Sequence, residues 1–127
     1  MVRHFRELIV WQKAMDLVAE TYQLTRLLPD AEQFGLISQM RRAAVSIPSN
    51  IAEGQSRLST KDFVHFLCIA RGSNAELQTQ CEICIRLSYI QPGQAGSLLD
   101  LSAGIGRMLN KLIQTLQTQP KPSHPAP

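Results

Sequence analysis

Cys81 and Cys84 form a C-x-x-C, the pattern in this chain best suited to redox or metal chemistry. A redox pair needs its first thiol at a helix N-terminus, where the dipole lowers the thiol pKa. This pair falls deep inside an apolar helical stripe instead. A zinc site needs four ligands, and there is no second pair. His65 and Cys68 share a helical face without evident partners. The cysteines are therefore read as core residues. The three histidines, His4, His65 and His124, are scattered, and two lie near the ends of the sequence. No Gly-x-Ser-x-Gly, phosphate-binding glycine loop or paired-histidine motif occurs, and the carboxylates are spread singly. The expectation is a protein without catalytic residues, metal or cofactor.

Two other groups of side chains are suited to binding. Asn50 and Glu53 follow Pro48, while Asn74 and Glu76 lie on a later helix. They suit a structural polar network across a helix bend, because buried polar groups must be hydrogen-bonded and then fix helix register. A small polar ligand site is the other reading. The second group is basic: Arg41, Arg42, Arg57, Lys61, Arg71 and Arg86, with Arg3, Arg6 and Lys13 at the N-terminal end. Arg42, Arg57 and Lys61 are expected to present phosphate-binding groups at one end of the fold. An ordinary solvated surface is equally compatible, since Glu53, Asp62, Glu76 and Glu82 are interspersed and no aromatic residue interleaves with the bases.

These side chains need elements to hold them, and four apolar-periodic segments supply them. In the first, Leu8, Trp11, Met15, Val18 and Tyr22 make one seam, and Ala14, Leu17, Thr21, Leu24 and Leu28 a second beside it. Pro29 ends the segment near Leu28. The second begins near Ala31 and carries Ile37, Met40, Ala44, Ile47 and Ile51 at alternating spacings of three and four. That stripe passes Pro48 without a change of phase, so the helix continues with a kink. Gly54 is expected to stop it.

Ser59 is read as the N-cap of a third helix, with Asp62 in its first turn. Phe63, Leu67, Ala70, Asn74, Leu77, Cys81 and Cys84 then repeat as far as Tyr89 and Ile90, and Gly72 is expected to mark a close helix approach. Gln91-Pro92-Gly93 reads as a turn. In the fourth segment Leu98, Leu101, Ile105, Met108, Leu112 and Leu116 repeat, widened by Leu109 and Ile113. The fold expected is an all-α, antiparallel up-and-down four-helix bundle over residues 1–118, followed by a disordered proline-rich tail, residues 119–127. The wide apolar faces of the first and fourth helices hint at self-association.

The totals agree with this reading. The chain has 127 residues, enough for one core, with 44% hydrophobic and 18% charged residues. Nine of its thirteen basic residues are arginine, and the net charge is +3, a mild excess that permits a nucleic-acid partner without requiring one. No apolar run is long enough for a bilayer. The start lacks the separate basic and apolar regions of a signal peptide, and the odd cysteine count suits a reducing compartment, so a cytoplasmic protein is expected.

Three blocks carry a resemblance. Gln39-x-Arg41-Arg42-Ala43-x-x-Ser46-Ile47-x-x-Asn50-Ile51-Ala52-Glu53-Gly54, Ser59-x-x-Asp62-Phe63 and Ala70-x-Gly72-Ser73-x-x-Glu76-Leu77 together resemble the bacterial 23S rRNA intervening-sequence proteins. Leu8-x-x-Trp11-x-x-Ala14 adds to the likeness, which spans roughly residues 5 to 116. The family is loosely related to accessory proteins of diversity-generating retroelements. The resemblance implies a four-helix bundle assembled as a ring-like homopentamer, without enzymatic activity. It also implies nucleic acid, RNA or DNA, and a reverse transcriptase as partners.

Overall fold

The computed structural model describes residues 4–118, which include four α-helices and no strand. The proline-rich tail lies outside the described residues. The helices are α1 (Ile9–Thr25), α2 (Ser38–Gln55), α3 (Thr60–Arg86) and α4 (Pro92–Thr118). Each packs on its neighbour in sequence, and α4 closes the square against α1. This is the expected up-and-down bundle.

The apolar stripes fix the core. Met40, Ala44, Ile47 and Ile51 of α2 are fully buried, as are Leu67, Ala70, Leu77, Cys81 and Cys84 of α3. α2 runs unbroken through Pro48, itself buried. The second of the two seams is fully core: Ala14, Leu17, Thr21 and Leu24 of α1 and Leu28 just beyond it are buried, whereas in the first Leu8, Trp11 and Val18 are half-buried against the core and Met15 stays 45% exposed. In α4 the core line is Ala95, Leu98, Ser102, Ile105, Leu109 and Ile113. The expected Leu101, Met108, Leu112 and Leu116 flank that line, half-buried.

The connections depart most from expectation. α2 does not start near Ala31. A short 3-10 turn, Asp30–Glu32, leads into a wide π-type turn, Gln33–Ile37, in which Gly35 leaves helical geometry (φ −110°, ψ −113°). Glu32 caps that turn, its Oε1 accepting from the Leu36 N–H at 3.2 Å and its Oε2 from the Tyr89 hydroxyl at 3.0 Å. α3 begins as expected, with Ser59 Oγ accepting from the Asp62 N–H at 3.1 Å. It stops at Arg86, short of Tyr89, where Ser88 takes a left-handed φ of 60°. Pro92 is not in a turn but at the first position of α4, where its missing N–H costs nothing. Gln94 Oε1 reaches back to accept from the Gln91 N–H at 2.8 Å, as in a capping box.

Two glycine roles also change. Gly54 does not stop α2; it lies buried inside the helix, where a Cβ would sit 2.8 Å from Phe66 Cβ and 2.9 Å from Phe63 Cδ1. It is the close-approach glycine of the α2–α3 pair. Gly72, expected in that role, faces open space, with nothing within 4 Å of where its Cβ would be.

Candidate interaction surfaces

The expected polar network is divided in two. Asn50 does not reach α3 directly. Its Nδ2 donates to the Ser46 carbonyl at 2.8 Å and to Ser46 Oγ at 2.9 Å, and Ser46 Oγ shares a 2.8 Å hydrogen bond with Ser73 Oγ of α3. Asn74 turns the other way and bonds to Ser102 of α4. Glu53 pairs with Arg57 one turn on, at the surface. Glu76 is exposed and makes no hydrogen bond or ion pair among the described residues. Residues four apart on a helix meet more readily than residues on different helices, and so Asn50 and Glu53 satisfy themselves within α2 and the turn that follows it.

The basic residues are not gathered at one end. Arg42 and Arg57 are fifteen positions apart, about 22 Å along a helix axis. Arg57 and Lys61 share one end, and Arg41 and Arg42 lie toward the other. Three of the cations are engaged within the fold. Arg41 Nε donates to Thr25 Oγ1 at 2.9 Å, and its guanidinium covers the Tyr22 ring at 4.5 Å. Arg57 pairs with Glu53 and covers the Phe66 ring at 4.9 Å. Arg71 donates to Asn110 Oδ1 of α4 at 3.1 Å. Arg42 and Lys61 are exposed with no such contact among the described residues.

The cysteines offer no reactive pair. Cys81 and Cys84 are fully buried, and Cys84 Sγ lies 3.6 Å from Met40 Sδ. Burial, reinforced by Cys84 and Glu82, raises the Cys81 thiol to about 11. Burial, reinforced by Glu32, raises Cys84 as well. Tyr89 is also raised, first by its hydrogen bond to Glu32.

What the surface does offer is apolar. The half-buried first seam of α1 and one side of α2 wall a groove of about 380 Å³, lined by Trp11, Met15, Val18, Val45, Pro48, Ser49 and Ala52. On the outside of α3 Ile69 is exposed, and two turns beyond the exposed Glu76 so are Ile83 and, just past the helix, Leu87. By helical phase, polar Arg42 and Glu53 on the outer side of α2 separate the two. At the end where α1 meets the turn before α2, Phe34 stands 93% exposed above a cleft of about 450 Å³.

The periodicity of α2 hides Phe34, because it stands three residues before Ile37 and would extend the buried stripe. Gly35 breaks the helix between them and turns Phe34 out. A glycine directly after an aromatic, just ahead of an apolar stripe, was the available signal.

No helix of the described residues is long and apolar enough to cross a membrane. The family model described as "23S rRNA-intervening sequence protein" matches residues 6–111. A solved structure from Bacteroides thetaiotaomicron VPI-5482, a protein of unknown function from the S23 ribosomal protein family, is 29% identical and superposes with a TM-score of 0.78. The match covers 84% of this chain and 100% of that one. No curated protein matches the chain. The bundle, its motif blocks and these two likenesses agree: the chain belongs to the 23S rRNA-intervening sequence protein family.

Proposed function

We propose that this protein is a non-enzymatic cytoplasmic interaction module that assembles head to tail into a closed ring, with five copies as the size the family resemblance implies. The observation that carries this reading is the division of exposed apolar surface between two faces. A two-fold dimer uses one patch on both subunits, whereas a ring needs two different patches that fit each other. Here one face is the α1–α2 groove and the other the exposed pair Ile83 and Leu87 at the end of α3, with polar residues of α2 between them. Unpartnered apolar patches on a small soluble protein mark contact surfaces.

The test uses one variant per face, Met15→Glu and Ile83→Glu. Both side chains are substantially exposed, so the charge disturbs the surface rather than the core. Each variant alone is expected to scatter light as a monomer. Mixed, they keep one intact copy of each face and should form a two-chain particle and no larger one. A mixture that stays monomeric, or variants that assemble normally, would overturn the ring.

A second reading adds nucleic acid, RNA or DNA, held through phosphates. Exposed Arg42 and Lys61, with no contacts of their own among the described residues, favour it. Its signature is affinity that falls steeply with salt as counterions are released. A third reading makes the assembly an accessory subunit of a protein such as a reverse transcriptase, with no nucleic-acid binding of its own. Co-purification that persists at high salt and after nuclease treatment would support it.

A further inference from the structure

We propose that the cleft beneath Phe34 is a site for single-stranded nucleic acid, in which an unpaired base stacks on Phe34 and an adjoining phosphate meets Arg42. The inference rests on the nucleic-acid reading above and gives it a place.

The turn that presents Phe34 is not a loose loop. The turn that carries it is tied at Glu32, which accepts from the Leu36 N–H and, across the bundle, from the Tyr89 hydroxyl. Gly35 fits so closely under that cap that a Cβ would meet Glu32 Oε1 at 2.6 Å. The backbone that carries the ring is therefore held, and the ring stands open to solvent. The neighbouring Tyr22 ring is already covered by Arg41, which leaves Phe34 as the free aromatic face in the cleft.

The charge on its lining has one sign. Arg41 and Arg42 both line the cleft, and none of its lining residues is acidic. The nearest carboxylate in sequence, Glu32, is committed to Tyr89 and Leu36. Gln33 and Ser38 add groups that can bond to base edges. Arg42 sits eight residues from Phe34 and lines the same cleft, so the π face and the free cation are within reach of one ligand. A polynucleotide supplies a flat ring and an anion in every residue, and only an unpaired base exposes its face. The α1–α2 groove, walled by aliphatic side chains and Trp11, has no such pairing.

The test is fluorescence anisotropy with labelled oligo(U) or oligo(dT) and, as a control, a blunt duplex, at low and moderate salt. The full chain should prefer the single strand. Phe34→Ala should weaken that binding by about 5-fold or more, the lower end of what one stacked base contributes, while Phe34→Trp retains it. Arg42→Gln should make the dependence of log affinity on log salt shallower by about 0.7, one phosphate contact on a single strand. Phe34 is so exposed that its loss leaves folding intact. If the chain binds neither nucleic acid at low salt, the nucleic-acid reading itself falls. If it binds the single strand and Phe34→Ala binds equally well, only the placement falls. A change of particle mass in Phe34→Ala would make the cleft a protein contact and overturn the proposal.

Discussion

Asn74 of α3 and Ser102 of α4 hold each other by two hydrogen bonds that run in opposite directions. Asn74 Nδ2 donates to the Ser102 carbonyl at 3.0 Å, and Ser102 Oγ donates to Asn74 Oδ1 at 2.7 Å. Both residues are buried. One turn along α4, a Cβ at Gly106 would lie only 3.3 Å from Asn74 Nδ2. The pair fixes the register of α3 against α4 inside the core, where the packing around it is apolar, and the Arg71–Asn110 bond adds a second polar link at the surface.

Asn74→Ala removes both bonds and leaves the Ser102 hydroxyl buried without them. The expected cost is about 2–3 kcal/mol in urea unfolding, with helix content by circular dichroism retained. Unchanged stability would remove the pair from its role.

Gly54 and Gly72 should respond in opposite directions to the same change. Gly72→Ala adds a methyl group in open space within an exposed helix interior, and should stabilise by up to about 1 kcal/mol. Gly54→Ala forces a methyl against Phe63 and Phe66, and overpacking of that kind costs about 1–3 kcal/mol. Thermal unfolding of the two single variants checks both signs.

Arg41 and Arg42 are adjacent in sequence and different in kind. Arg41→Ala loses the bond to Thr25 and the stack on Tyr22, and should cost about 1–2 kcal/mol. Arg42→Ala should stay within about 0.5 kcal/mol of wild type, because its side chain touches solvent. Equal losses in unfolding measurements would contradict the distinction.

Stability should fall above pH 9. Cys81 is raised from 9.0 to about 11, so the fold favours the protonated thiol. That contribution is complete below pH 9 and is lost as pH rises through the folded value, at up to about 1.4 kcal/mol per pH unit. Tyr89 is raised too and adds to the decline above its ordinary value of 10.0. In Cys81→Ala, unfolding followed between pH 9 and 11 should show a shallower slope. An identical slope would place the sensitivity elsewhere.

The helices were legible because burial imposes a period of 3.6 on the sequence, and the core of α2 and α3 follows it residue by residue. In α1 and α4 the same signal was ambiguous. Two seams of similar apolarity run side by side, and which one faces the core depends on where the neighbouring helix lies. Trp11 and Met15 read as part of one wide apolar face, and both wall the groove, Trp11 half-buried and Met15 exposed. The partners of Asn50, Glu53 and Asn74 were not legible either. Residue type says that a buried amide needs a partner, but that Asn50 turns to Ser46 and Asn74 to Ser102 is set by how α2 and α3 are rotated in the bundle. Gly35 was the costliest omission, since one non-helical residue breaks the phase that would have buried Phe34.

The central claim is that the two apolar faces serve assembly, and light scattering on the purified chain at micromolar concentration tests it most directly. The account predicts a particle several times 14.2 kDa that survives raised salt, and a folded monomer for Met15→Glu. A wild-type protein that scatters as a single 14.2 kDa chain would contradict it.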